Sequence, residues 1–305
     1  MMSFNFKNFK KFNFNSVLKF ATIDLLKQKK LVFEIIQLFV LMIVFCLLGL
    51  LTIISPIFSF YLFLKPEFSI FAFVLLGFTL LFLCLTFLVG TYFSYRLISF
   101  ALISIGKKVQ DFNLKLAIKL FLSGIVSFFV SLFSLYELKL LLFGVIGFVL
   151  MLAGWALLVF SNSNSLFIIF SIISFIIAFI LFFIYYIIVI RNFVRVSFVS
   201  IFLVEKNLGV RQSVKNSWNL TAGKAVLIFI IQLILGGIIW VVQQLIILPF
   251  NFATFPLLAS DLGEFNIALF ILLFGFLFLF MMVISELFLI FGQVAVYSQI
   301  SSKRQ

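Results

Sequence analysis

Histidine is absent from the 305-residue chain, and only nine of its residues are acidic. Most acid–base and metal-dependent catalytic centres are built from histidines and clustered carboxylates, so these absences exclude the most familiar kinds of enzyme. The many serines are not accompanied by a GxSxG motif, which argues against a serine hydrolase. We therefore expect a protein that is not an enzyme and that has neither a metal site nor a cofactor.

Cysteine and charge are also scarce. The two cysteines, Cys46 and Cys84, each lie inside an apolar run, which excludes a disulfide framework and a cysteine-based metal site. Charged residues make up 10% of the chain and apolar residues 65%, whereas about a quarter of a soluble domain is charged. So few charges do not cover a water-exposed surface, and the composition predicts an integral membrane protein.

The charges that are present are mostly basic, with 22 Lys and Arg residues against 9 Asp and Glu residues. Most of the cations lie in residues 1–30, 96–119 and 191–224 and at the end of the chain, between the apolar runs. This distribution follows the positive-inside rule and not the pattern of a nucleic-acid interface. We expect these segments to be cytoplasmic and expect no nucleic-acid partner.

Apolar runs of about 20 residues or more are long enough to cross the hydrocarbon core of a membrane. We predict an all-α fold, a polytopic transmembrane helical bundle with six spans plus interfacial helices and with both termini cytoplasmic. Residues 31–305 are expected to form a single transmembrane domain. The predicted spans are about 35–63, 69–95, 138–160, 166–190, 225–248 and 266–297.

One further run, at 116–136, is short, contains several serines and is flanked by lysines. If it crossed as a simple span, the six cations of residues 191–224 would lie outside the cell. We therefore expect this run to be interfacial, re-entrant or the first part of a kinked span.

Residues 1–30 are expected to form a basic cytoplasmic tail followed by an interfacial helix. The tail alternates phenylalanine with asparagine and lysine and has no helical period. From Ser16 to Lys30, apolar residues fall on one side and lysines elsewhere, which is typical of a helix that lies in the membrane interface.

Residues 191–224 are the longest stretch between spans after the first one, and we refer to them as the elbow. A helix is expected to continue from the preceding span to about Glu205, where Asn207 and Gly209 favour a left-handed stop. A second short helix is expected at about 210–220, with Trp218 at headgroup depth, and Gly223 ends it before the next span.

The elbow contains an acidic residue, a glycine, a serine followed by a bulky residue, and a second glycine, at Glu205, Gly209, Ser217, Trp218 and Gly223. In this pattern it resembles a broad family of polytopic membrane proteins. That family includes the membrane domain fused to some glycerophosphodiester phosphodiesterases and its uncharacterised stand-alone relatives. The resemblance covers about 30 residues closely and the six-span plan loosely. It departs in the middle of the chain, which has no proline between residues 67 and 248. The phosphodiesterase catalytic domain, with its histidines and metal-binding carboxylates, is absent here.

Two groups of residues are candidates for function. The first group could contact lipid at the elbow: Arg191, Arg195, Glu205, Gly209, Arg211, Lys215, Ser217, Trp218 and Gly223. The second group is polar within apolar runs, which by default marks a functional site: Glu34, Gln232 and Glu286. For Glu34 and Glu286 there are two interpretations, a structural pair with Arg191 or Arg195 at the cytoplasmic rim, or a role with a proton, an ion or a substrate.

These features favour a multi-pass protein of the cell membrane that acts as a non-enzymatic accessory or scaffold. Its partners are expected to be membrane lipids with anionic headgroups, with a protein partner or a homo-oligomer as further possibilities. The alternative is a transporter or flippase of a lipid or small amphiphile, with Gln232 and Glu286 near its path. In that case Gly236 and Gly237 are expected to unwind the helix that contains them.

Overall fold

The computed structural model describes residues 13–21, 25–26, 28, 30–65, 69–133, 138–160, 165–259 and 264–302. The fold is all-α, as predicted, and this part of the chain contains no strand. Most of the predicted tail, residues 1–12, lies outside the described residues, as do residues 22–24, 27 and 29 of the predicted interfacial helix. The helices in chain order are α1 Phe14–Lys19, α2 Leu31–Phe63, α3 Ser69–Ser104, α4 Leu114–Leu132, α5 Leu138–Val159, α6 Ser165–Val196, α7 Val199–Lys206, α8 Val210–Leu220, α9 Ala225–Ala259 and α10 Glu264–Ser302.

Within the described residues, seven helices are long and apolar enough to cross a membrane, so the chain is a multi-pass membrane protein. The six predicted spans correspond to α2, α3, α5, α6, α9 and α10. The seventh helix is α4, which covers the run at 116–136 and has the lowest mean hydropathy of the seven. By length and composition the number of candidate spans is therefore one larger than the six predicted.

The described residues form two compact units. Unit 1 contains residues 1–121, 200–208 and 230–305, and unit 2 contains residues 122–199 and 209–229.

A row of hydroxyl groups joins α2 to α3 in unit 1. The Ser55 and Thr79 hydroxyl oxygens lie 2.7 Å apart, and the Ser59 hydroxyl donates to the Ala72 carbonyl over 2.7 Å. Because lipid competes poorly for such groups, interhelical hydrogen bonds hold helices together where the hydrophobic effect does not. The two helices therefore form an antiparallel hairpin that these hydrogen bonds join along its length.

The other long helices of unit 1 are α9 and α10. Phenylalanine rings connect α10 to the hairpin, with Phe39 and Phe280 centroids 5.6 Å apart. The Gln243 amide donates to the Ser285 hydroxyl over 2.8 Å and joins α9 to α10, as expected for a glutamine within a span.

In unit 2, α5 and α6 form a second antiparallel hairpin. The Ser171 hydroxyl donates to the Gly154 carbonyl over 2.7 Å. A Cβ added at Gly154 would lie 3.3 Å from the Ser171 carbonyl oxygen, so only glycine allows this close approach without adjustment.

The end of α4 lies part-way along α6. The Phe128 and Phe193 rings are 6.4 Å apart, and the Tyr185 hydroxyl donates to the Leu132 carbonyl at the last residue of α4. The same Tyr185 ring contacts Gly144 near the start of α5, which continues to Val159 beside the beginning of α6. The last turn of α4 and helix α5 therefore both run antiparallel to α6, and both have a residue at the level of Tyr185.

We predict that Gly154→Leu lowers the free energy of unfolding by about 1–3 kcal/mol, because the side chain must be fitted between two backbones in contact. The matched control is Gly77→Leu in α3, since a Cβ at Gly77 meets nothing within 4 Å. Unfolding in mixed micelles of detergent and sodium dodecyl sulfate measures both variants. Equal stability of the two variants would contradict the close approach at Gly154.

Candidate functional site

The Glu205 carboxylate, at the end of α7, is held by two donors within unit 1. The Lys107 ammonium donates to Oε1 over 2.8 Å, and the Tyr297 hydroxyl donates to Oε2 over 2.5 Å. The Glu205 side chain is 9% exposed and Tyr297 is completely buried, whereas the Lys107 side chain is 37% exposed. A buried carboxylate with one donor on each oxygen satisfies the requirement that a buried charge be paired and hydrogen-bonded. We call Lys107, Glu205 and Tyr297 the Glu205 cluster.

Two further contacts join α7 to the segment between α3 and α4. The Gln110 amide donates to the Val204 carbonyl over 3.2 Å, and the Lys119 ammonium donates to the Asn207 side chain over 2.9 Å. Asn207 has a φ of 52°, the left-handed conformation that asparagine tolerates, and ends α7 as predicted.

The N-terminal helix α1 docks on the end of α10. The Gln299 amide donates to the Asn13 carbonyl over 3.1 Å and also contacts Ser16, and the Phe20 ring stacks on Phe291 at 5.4 Å. Val17 is completely buried. Part of the apolar side predicted to enter the interface is therefore packed against protein, whereas Leu26 is 74% exposed. The interfacial position of this segment stays a prediction.

These contacts bring α1, residues 105–119, α7 and the end of α10 to one end of unit 1, which we call the basic end. Its two buried or half-buried acids are neutralised by Arg96 and Lys107. Asp111 is exposed there. The exposed cations of this end are Lys19, Lys30, Lys108, Lys115 and Lys206.

Glu34, in the first turn of α2, pairs with Arg96 of α3. Arg96 donates to the Glu34 carboxylate over 2.6 Å and to the Gln37 side chain over 2.5 Å. The prediction that Glu34 pairs with Arg191 or Arg195 is wrong in its partner, because the antiparallel hairpin brings Arg96 to Glu34. The interpretation of this acid as part of a structural ion pair fits the geometry.

Glu286 is half-buried in α10, and among the described residues it makes neither an ion pair nor a hydrogen bond. Arg191 and Arg195, its predicted partners, belong to unit 2, so the predicted pair stays a prediction. Gln232, in α9, is also half-buried without a hydrogen bond in the described part of the chain. The structure does not bring Gln232 and Glu286 together through a contact within unit 1.

In unit 2, the elbow helix α8 spans Val210–Leu220, as predicted from its pattern. The Ser217 hydroxyl donates to the Arg195 carbonyl over 2.7 Å and accepts from the Phe198 amide over 3.3 Å. The chain breaks between α6 and α7 at Ser197 and Phe198, so Ser217 satisfies backbone groups that the break leaves without helical partners. Ser217 is therefore a structural residue of the elbow.

Trp218 lies under Arg195. The Arg195 guanidinium is 3.8 Å from the centroid of the Trp218 ring, and Trp218 is 8% exposed. The ring therefore offers little surface for contact with lipid, because a cation–π contact on α6 occupies it. Its position at headgroup depth stays a prediction. Arg195, which was also predicted to contact lipid, takes part in the same cation–π contact.

The exposed side of α8 carries Arg211 and Lys215, which are separated by one helical turn. Gly209 precedes α8 in an extended conformation with φ −70°, so it does not supply the left-handed stop expected of it. Gly223 has a φ of 72° and ends the elbow in the left-handed conformation that glycine favours. The elbow thus presents two cations to solvent or headgroups.

The helix at Gly236 and Gly237 is continuous from Ala225 to Ala259. The unwinding expected of a transporter path is therefore not observed at these glycines. Among the described residues, no group of three or more Asp, Glu and Cys side chains is close enough to hold a metal ion.

The most important partners in unit 1 could not be identified from the sequence. Lys107, Tyr297 and Arg96 are separated from their carboxylates by 98, 92 and 62 residues. The only local signal was Glu205, an acid near the end of the first short helix of an otherwise basic elbow. This signal does not specify which cation or hydroxyl group pairs with the acid.

No protein-family model, curated protein or solved structure matches the chain.

We predict that Tyr297→Phe destabilises the protein by about 1.5–3 kcal/mol, because one oxygen of a buried carboxylate loses its donor. The matched control is Tyr186→Phe, since Tyr186 is 61% exposed. Melting temperatures of the two variants in detergent provide the comparison. If Tyr297→Phe has the same melting temperature as the unmodified protein, the Glu205 cluster does not stabilise the basic end.

Proposed function

We propose that the chain is a non-enzymatic accessory protein of the cell membrane whose basic cytoplasmic end binds the headgroups of anionic phospholipids. The observation that carries this proposal is the separation of charges at the basic end. Glu34 and Glu205 are turned inward to Arg96 and Lys107, while among the described residues of this end five lysines and one acid, Asp111, are exposed. The surface that meets the headgroups is therefore strongly positive.

The magnitude of this attraction is sufficient for lipid selection. A lysine or arginine near an anionic leaflet contributes about 1 kcal/mol, and the contribution falls off within a Debye length of about 8 Å at physiological salt. Several exposed lysines at one end together favour the binding of an anionic over a zwitterionic headgroup by several kcal/mol, and the negative charge of Asp111 reduces this free energy. The cations Arg211 and Lys215 on α8 extend this property to unit 2.

The orientation we propose is six crossings with both termini in the cytoplasm. The contact of α1 with the end of α10 brings the first and last described helices together at one end of unit 1, which supports an even number of crossings. In unit 2, α4 and α5 follow one another along α6 in the same direction. This supports a single broken crossing, with α4 as its shallow first part.

We also propose, from the elbow alone, a relationship to the membrane domain fused to some glycerophosphodiester phosphodiesterases. The supporting features are the two short helices α7 and α8, the acid Glu205 at the end of the first, and Gly223 before the next span. The buried position of Ser217 gives a physical reason for a serine at that point.

The transporter or flippase alternative receives less support. Its expected unwound helix is continuous at Gly236 and Gly237. Glu34, one of the three intramembrane polar candidates, is neutralised by Arg96.

Lipid binding is tested by the thermal stability of the purified protein in neutral detergent, with phosphatidylglycerol or phosphatidylcholine added. We expect phosphatidylglycerol to raise the melting temperature by several degrees more than phosphatidylcholine, because ligand that binds only the folded state stabilises it. In the triple variant Lys108→Gln, Lys115→Gln, Lys206→Gln the difference between the two lipids should fall by half or more.

The control is Lys65→Gln, since Lys65 is exposed at the opposite end of the α2–α3 hairpin. This variant should keep the full lipid difference, and 0.5 M salt should reduce that difference in all proteins. Equal melting temperatures in the two lipids would contradict the proposal. If the chain shows no lipid preference and instead binds a soluble acidic protein through the same lysines, the ligand of the basic end is that protein and not lipid.

A further inference from the structure

Glu286 is the one acid among the spans of unit 1 that has no compensating charge in the described part of the chain. It lies in the middle of α10, preceded by about 19 apolar residues. An ionised acid within a span costs up to about 2.5–3.5 kcal/mol on insertion scales, the value at the centre of the span. Such residues are by default linked to protons, ions or substrates.

The neighbouring helices do not supply a free cation for it. Helix α10 packs against α1, α2 and α3. Their charged residues are Lys19, Glu34 and Arg96, of which the last two pair with each other. Helix α9 has no charged residue. The other titratable side chains of α1, α2 and α3 are uncharged at neutral pH: Cys46, Tyr61, Cys84, Tyr92 and Tyr95.

A polar stripe on α10 connects Glu286 to the basic end. At 100° per residue, Glu286, Gln293 and Tyr297 fall within about 40° of one another on one face of the helix. Gln293 is half-buried and, among the described residues, makes no hydrogen bond. It lies between Glu286 and Tyr297, which are separated by about 16 Å along the helix axis.

The far end of this stripe reaches solvent through the Glu205 cluster. The buried Tyr297 hydroxyl donates to Glu205, and Glu205 accepts from Lys107, whose side chain is 37% exposed. A chain of hydrogen bonds therefore already runs from the surface of the basic end to the same face of α10.

We propose that Glu286 is a proton-binding site within the membrane that exchanges its proton with the basic end of unit 1 along the Gln293 and Tyr297 face. In this step the carboxyl group transfers a proton to water and becomes a carboxylate, and the reverse transfer restores the acid. Gln293 lies about 10 Å along the helix axis from Glu286, so several water molecules in turn must carry the proton between them. The exchange needs no other reactant. It is independent of the lipid binding proposed above.

The test is infrared spectroscopy of the full chain in lipid nanodiscs between pH 5 and pH 9. The difference between the unmodified protein and Glu286→Gln should contain the band of a protonated carboxyl group, and this band should decrease as the pH rises. The matched control is Glu34→Gln, which removes an acid that already forms an ion pair with Arg96, and its difference spectrum should lack the band. If the Glu286 band is absent or does not change with pH, the proposal is wrong. A band that responds to sodium at constant pH would overturn the assignment of the ligand as a proton.

The route is tested by the rate at which the same band shifts after transfer to deuterated water. Gln293→Leu should slow this exchange at least tenfold, whereas Gln244→Leu should leave it unchanged, since Gln244 is exposed on α9. Equal rates in the two variants would overturn the route along α10.

A second measurement covers the case in which Glu286→Gln fails to fold. Dicyclohexylcarbodiimide reacts with protonated carboxyl groups in membranes, and mass spectrometry of the unmodified protein locates the adduct. We expect labelling at Glu286 to exceed labelling at Glu34 and Glu205 at least tenfold. Failure to label Glu286 would overturn the proposal.

Discussion

The carboxylate of Glu205 is the point on which the basic end of unit 1 depends. It accepts from Lys107 after α3 and from Tyr297 near the end of α10. Because a buried charge without partners is costly, these three side chains must come together whenever the unit folds. Chain segments that are distant in sequence are thereby held at one end of the unit.

This constraint also determines which charges face outward. The acids that could neutralise the lysines from outside are turned inward, Glu34 to Arg96 and Glu205 to Lys107. The exposed lysines are left as the dominant charge of the surface, with Asp111 as the opposing acid. A positive surface next to long apolar helices is the arrangement that suits anionic headgroups. The lipid binding that we propose therefore depends on the way the interior of the unit is neutralised.

The sequence predicted the helices better than their contacts. Apolar runs placed the long helices, and the short amphipathic pattern placed α8, because both signals are local. The left-handed stop at Asn207 was also predictable, since asparagine tolerates that conformation. The pairing of Arg96, Lys107 and Tyr297 with their carboxylates was not predictable, because the sequence around a polar residue does not indicate its distant partner. Trp218 was expected at the headgroups, and only the packing of α8 on α6 places it under Arg195.

The seventh long helix shows the same limit. Length and composition allow α4 to cross, and charge alone argued against it. The contact of Leu132 with Tyr185, part-way along α6, supports our proposal that α4 does not cross by itself, and no periodicity predicts this contact.

The most direct test of the account is the sidedness of unit 1 in intact cells. Single cysteines are introduced as Asn15→Cys, Lys108→Cys, Ser302→Cys and Lys65→Cys in a background with Cys46→Ser and Cys84→Ser, and are labelled with a membrane-impermeant maleimide. We predict that the cysteine at 65 labels from outside and that those at 15, 108 and 302 label only after the membrane is permeabilised. Labelling of positions 15 and 302 from opposite sides would contradict the joining of both ends of the chain at the basic end.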